Sequence, residues 1–196
     1  IQPIVAGFFP ELMTVPMPDA GMGCLTPDAA ETVLAMLDRF DVLALGPGLT
    51  TQPPTREAVR IILSGAEKPI VLDADGLNCL AEMGPVATSA SLTLTPHPGE
   101  MARLLGKSTA EVVAQRFDCA RNAATVYRAT IVLKGAYTIV CERDGTSWVN
   151  RVACPGLGTA GSGDVLTGAV SALTHQTASP AHGALLGVYL HGLAGE

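Results

Sequence analysis

The chain has 196 residues, of which 48% are hydrophobic and 15% charged, with a net charge of −6 at pH 7. A chain of this length buries about 70% of its unfolded surface in one core, and its acidic balance excludes general attraction to nucleic acid or anionic lipid. No apolar run approaches the ~20 residues of a membrane span. Residue 1 is Ile, and the final YLHGLAGE breaks off inside an apolar helical pattern, so residues 1–196 read as one domain truncated at both ends. A targeting segment in a missing start is left open.

The elements follow in chain order. Thr26-Pro27 offers an N-cap and a proline at the first helical position, ahead of Val33, Leu34 and Leu37. Four short apolar runs then predict strands: VLAL (42–45), PIVLD (69–73), SLTLT (91–95) and TIVLK (130–134). None alternates, as expected of strands covered on both faces. Ser108 with Glu111 spells a capping box, opening a helix that carries Val112, Phe117, Ala120 and Ala124. Strands alternating with helices predict a mostly parallel sheet between helical layers. After Gly135, YTIVC, a turn at Arg143-Asp144-Gly145, and SWVNRVA predict an antiparallel hairpin. Two helices finish the chain, the apolar run GALLGVYL of the second stopping at His191. The five cysteines, Cys24, Cys79, Cys119, Cys141 and Cys154, form no CxxC pair, which argues against zinc and for reduced thiols in a cytoplasmic protein.

Open α/β sheets bind ligands at the carboxyl ends of their strands. Gly46-Pro47-Gly48, Asp73-Ala74-Asp75, His97-Pro98-Gly99-Glu100 and Lys134-Gly135 each follow a predicted strand. Each reads singly as a turn, but together they predict one rim. The densest signal is CPGLGTAGSGD (154–164). Its GxGxxG lacks the following strand and acid of a dinucleotide fold, and Asp164 stands where a Walker loop needs lysine. What it predicts is a glycine-rich loop entering a helix, whose free amides at Gly161, Ser162 and Gly163 attract an oxyanion. Asp164 beside an anion site is either a helix cap or a base that deprotonates an attacking hydroxyl.

GSGD in this setting resembles the anion hole of the ribokinase-like superfamily. The set GPGL, VLDAD, LTPHPGE, LKGAYT, PGLGTAGSGDVLTG and HGLAG, from Val42 to Glu196, is similar to the ADP-dependent NAD(P)H-hydrate dehydratases. The resemblance implies a three-layer α/β/α sandwich and a hydro-lyase. The hydroxyl of the (S)-hydrate of NADH or NADPH would be phosphorylated by ADP or ATP, and phosphate would leave by elimination. It places substrate on Gly48, His97 and Asp164, with Asp164 catalytic. It places nucleotide on Lys134, Gly135, Ala136, Tyr137 and Thr138 with Gly161, Ser162 and Gly163, and Glu100 near metal and phosphates. It further implies Mg2+, a homo-oligomer (commonly a tetramer) and an NAD(P)H-hydrate epimerase as companion activity.

Thr50 departs from a frequent glycine, and residues 151–154 depart from the usual run before Pro155-Gly156. An initial βαβ unit of the family, about 30 residues or more, is expected to be missing. A ribokinase-like small-molecule alcohol kinase and a non-catalytic nucleotide-binding module stay open as alternatives. His175, His182 and His191 receive no role.

Overall fold

A computed structural model describes residues 4–5, 7–8, 11–19, 21–152 and 154–196; Ile1 and Ala153 lie outside them. The expected strands form a single six-stranded sheet in the order β1 (Leu43–Leu45), β2 (Ile70–Leu72), β3 (Leu92–Leu94), β4 (Thr130–Leu133), β5 (Ile139–Cys141) and β6 (Ser147–Val149). The first four run parallel, and β4, β5 and β6 are antiparallel neighbours, so the hairpin stands where its turn residues predict it. Alternate residues of each strand point to opposite faces. Ile70, Leu72, Leu94, Ile131, Leu133 and Ile139 enter the larger core, whereas Val71, Val132 and Val140 enter the smaller one.

The larger core is covered by α1 (Pro27–Met36), α2 (Pro53–Gly65), α3 (Ala74–Met83), α4 (Pro98–Leu105), α5 (Thr109–Ala114) and α6 (Arg116–Tyr127). The smaller is covered by α7 (Ser162–Gln176) and α8 (Pro180–Ala194) through Leu166, Val170, Ala184 and Val188. The result is the expected three-layer sandwich. The chain changes face after β6, so the loop entering α7 crosses the carboxyl edge of the sheet. The start signals hold: Thr26 accepts from the Ala29 amide at 3.3 Å, and Ser108 and Glu111 form both halves of a capping box.

Two sequence readings need correction. The run at 42–45 is not fully covered: among the described residues β1 is the first strand of the sheet, and Ala44 is exposed although Val42, on the same face, packs against the smaller core. The helix opened by Ser108 is two helices, broken at Gln115 (φ −128°, ψ 45°). Val112 and Phe117, five residues apart, do not share a helical stripe, and the break buries Cys119, Ala120, Ala123 and Ala124 while Phe117 is exposed.

Candidate active site

The rim is assembled by consecutive strands. The 46–51 loop follows β1, Asp73 follows β2, His97 follows β3 and Lys134 follows β4, and the amino end of α7 closes over them. The first loop passes so close to β2 that a Cβ on Gly46 (φ +140°) would sit 1.7 Å from the Asp73 carbonyl oxygen. Only glycine fits there. Thr50, at the departure from glycine, keeps a left-handed backbone (φ +67°), and its amide donates to Asp75 Oδ2 at 2.8 Å.

At the centre is a buried polar network. Asp73 is 1% exposed; its Oδ1 accepts from Lys134 Nζ at 2.6 Å and its Oδ2 from the Thr167 hydroxyl at 2.6 Å. Glu100 Oε2 stands 3.7 Å from the same ammonium and accepts from the His97 amide at 2.7 Å. His97 caps α4: its Nδ1 accepts from the amides of Gly99 (2.9 Å) and Glu100 (3.3 Å). That arrangement puts the ring proton on Nε2, 3.5 Å from Glu100 Oε1. The β2, β3 and β4 ends and the second turn of α7 are thereby tied together by charge-assisted contacts.

The glycine-rich stretch forms a short 3₁₀ turn, Pro155–Gly158, then reaches Gly161 (φ +88°) and α7. The Ser162 amide donates to Thr159 O, while those of Gly163 and Asp164 donate to no described residue. A Cβ on Gly163 would lie 3.5 Å from Lys134 Nζ, so helix amides and ammonium face one another. Asp164 occupies the third position of the helix, is exposed, and bonds to no described residue. It does not cap the helix; Gly161 holds the cap position without a side chain. The capping reading of Asp164 is therefore set aside.

Beside this end lies a cleft of about 420 Å³ lined by Lys134, Gly135, Ala136, Thr138, Ser162 and Gly163 among the expected residues. Tyr137 and Gly161 do not line it, and Gly48, His97, Glu100 and Asp164 lie on the rim outside it. Its far wall, unforeseen in the sequence, is Asn150, Val152, Leu157, Leu166, Val188 and His191. Arg116 supports the floor from behind, donating to Ala136 O (2.6 Å) and Leu133 O (3.2 Å). Burial lowers the pKa of this guanidinium from its ordinary value. Thr167 and Arg116 are the neighbours that sequence reasoning missed. Asp73 was placed on the rim by its strand-end position, but its central part in the network was not read.

Residues 4–196 match the family model described as NAD(P)H-hydrate dehydratase. The chain belongs to the NAD(P)H-hydrate dehydratase family. The bifunctional NAD(P)H-hydrate repair enzyme Nnr of Moorella thermoacetica is 44% identical over 198 residues, covering 100% of this chain and 37% of that protein. The ADP-dependent (S)-NAD(P)H-hydrate dehydratase of Neisseria meningitidis serogroup B is 38% identical, covering 98% of this chain and 62% of that protein. The chain thus spans less than two thirds of the length of these curated relatives. Among solved structures, the ADP/ATP-dependent NAD(P)H-hydrate dehydratase from Bacillus subtilis, co-crystallised with ATP and Mg2+, matches with a TM-score of 0.82 at 29% identity. That match covers 98% of this chain and 65% of the other. The family fold is ribokinase-like, as the sandwich described above is.

Proposed function

We propose that this NAD(P)H-hydrate dehydratase family member uses ADP or ATP to dehydrate the (S)-hydrate of NADH or NADPH, as a cytoplasmic homo-oligomeric lyase. The observation that carries the reading is the free amino end of α7 facing Lys134 at the mouth of the cleft. Two undonated amides, half a helix-dipole charge and one ammonium suit the terminal phosphate of a nucleotide, and the apolar wall of Val152, Leu157, Leu166 and Val188 suits its base. Exposed Asp164, next to these amides, accepts the proton of the substrate hydroxyl as its oxygen bonds to phosphorus and the nucleotide's terminal P–O bond breaks. In the second step the C–O bond breaks, phosphate departs with its electron pair, and the neighbouring ring carbon gives up a proton, so that its C–H electrons become the ring's restored double bond. With ADP the products are NAD(P)H, AMP, phosphate and a proton.

Among the described residues no group of three or more His, Cys, Asp or Glu side chains could hold a metal. This fits Mg2+, which keeps waters and is held by nucleotide phosphates with one or two carboxylates. Glu100 is the carboxylate that fits: its Oε2 accepts the His97 amide but its Oε1 stands 3.5 Å from His97 Nε2, whereas both Asp73 oxygens accept at 2.6 Å. When bound, the ion neutralises phosphate charge. Five free cysteines, four of them buried, suit a reducing compartment. Leu186, Tyr189, Leu190 and Leu193, exposed on α8, suit contact between copies. No helix among the described residues is long and apolar enough to cross a membrane. Bifunctional relatives support an epimerase as the companion activity.

The test is Asp164→Asn in the full chain. The variant keeps size and shape, so it folds and binds ADP, while hydrate turnover falls ~10²–10⁴-fold, the worth of a positioned base. Near-normal turnover would remove Asp164 from the mechanism. A stable phosphorylated product in place of free phosphate and recovered reduced-cofactor absorbance would favour the small-molecule kinase instead.

A further inference from the structure

A second concavity of about 430 Å³ lies at the opposite end of the rim from the nucleotide cleft, with Thr51, Asp75, Asn78, Glu82 and Arg103 in its wall. Its charges are unequally engaged. Glu82 is paired with Arg56. Arg103 Nε donates to Asn78 Oδ1 at 2.8 Å, which orients the guanidinium, and its terminal nitrogens donate to no other described residue. Asp75 Oδ2 accepts the Thr50 amide at 2.8 Å, and Oδ1 stands 3.5 Å from Asn78 Nδ2. The wall therefore offers an oriented cation beside an acid that can accept more hydrogen bonds.

This pocket adjoins the loop and the helix to whose residues Gly48 and His97 the reacting ring is assigned. Asp75 grips the loop two residues after Gly48. Arg103 stands on the helix that His97 caps, six residues on, or about 9 Å along the axis. An acid for ribose hydroxyls and a guanidinium for phosphate form the usual recognition set for a dinucleotide's sugar–phosphate chain.

We propose that this pocket holds the part of the dinucleotide hydrate beyond its reactive ring, with Arg103 on a phosphate and Asp75 on a ribose hydroxyl. The proposal rests on the dehydratase reading above. It makes Arg103 a specificity-determining residue remote from phosphoryl transfer.

The test compares the full chain and its Arg103→Ala variant on two substrates, NADH hydrate and the hydrate of reduced nicotinamide riboside, which has the ring and one ribose but no phosphate. A charge-assisted contact is worth ~10–100-fold. Arg103→Ala should therefore raise KM for NADH hydrate by that factor, leave kcat and the KM for ADP unchanged, and cost nothing on the riboside hydrate. Arg103→Lys should recover part of the loss, and Asn78→Ala should reproduce a fraction of it. A wild type active on both substrates, with Arg103→Ala losing equally on both or on neither, overturns the subsite alone. A wild type that leaves both hydrates unchanged overturns the dehydratase reading, and the subsite with it.

Discussion

Asp73→Asn tests the network that holds the rim together. The wild-type carboxylate is 1% exposed and pairs with Lys134 at 2.6 Å, the lysine side chain itself being 17% exposed. Removing one partner of a buried ion pair costs ~3–5 kcal/mol. Two features reduce that here: asparagine still offers an oxygen to the Thr167 hydroxyl, and Glu100 Oε2, 3.7 Å from the ammonium, takes over part of its charge. The expected loss is therefore about 2–3 kcal/mol, which for a domain of this size lowers Tm by about 4–12 °C. Lys134→Met leaves the carboxylate buried and unpaired, so the double variant Asp73→Asn/Lys134→Met should be more stable than Lys134→Met alone. Urea and thermal melts of the four proteins read both quantities. A drop below about 1 °C for Asp73→Asn, or strict additivity in the double variant, would refute the argument.

Thr50→Gly should stabilise the protein by about 0.5–1 kcal/mol. The left-handed conformation at φ +67° costs a branched residue more than glycine loses in backbone entropy, and an unchanged urea midpoint would contradict this. Cys154, half-buried in the cleft wall, should be the one thiol labelled by an aromatic disulfide reagent in the native protein, and ADP should slow that labelling. Equal rates with and without nucleotide would place ADP elsewhere. Burial pushes the Cys79 thiol up from 9.0 to about 11, and raises Cys119 and Cys141 as well. The folded state then binds protons that the unfolded chain releases, so this contribution is complete below pH 9 and is lost as pH rises through about 11. Urea midpoints between pH 8 and 11 should fall, and less steeply in Cys79→Ala; parallel profiles would reject the assignment.

What the sequence by itself determined is the local part of the protein. The caps at Thr26 and Ser108, the hairpin turn at Asp144-Gly145 and the four strand-end motifs depend on backbone chemistry within a few residues, so they stand where composition places them. The glycine-rich entrance to α7 was legible for the same reason, because unpaired helix amides follow from the helix start itself. Tertiary structure alone decided which polar groups meet. Asp73 finds Lys134 61 residues away and Thr167 94 residues away, a choice made by strand order and by the crossing of the chain to the second face. Arg116, an unremarked residue in a helical stretch, supports the loop after β4 only because the helix breaks at Gln115. His191 enters the cleft only because α8 packs across α7. Ala44 is exposed while Val42, two residues earlier on the same face, packs against the smaller core, a difference that the apolar run itself does not carry. Short-range propensity acts through bonds between near neighbours, whereas pairing of distant side chains depends on how the layers stack.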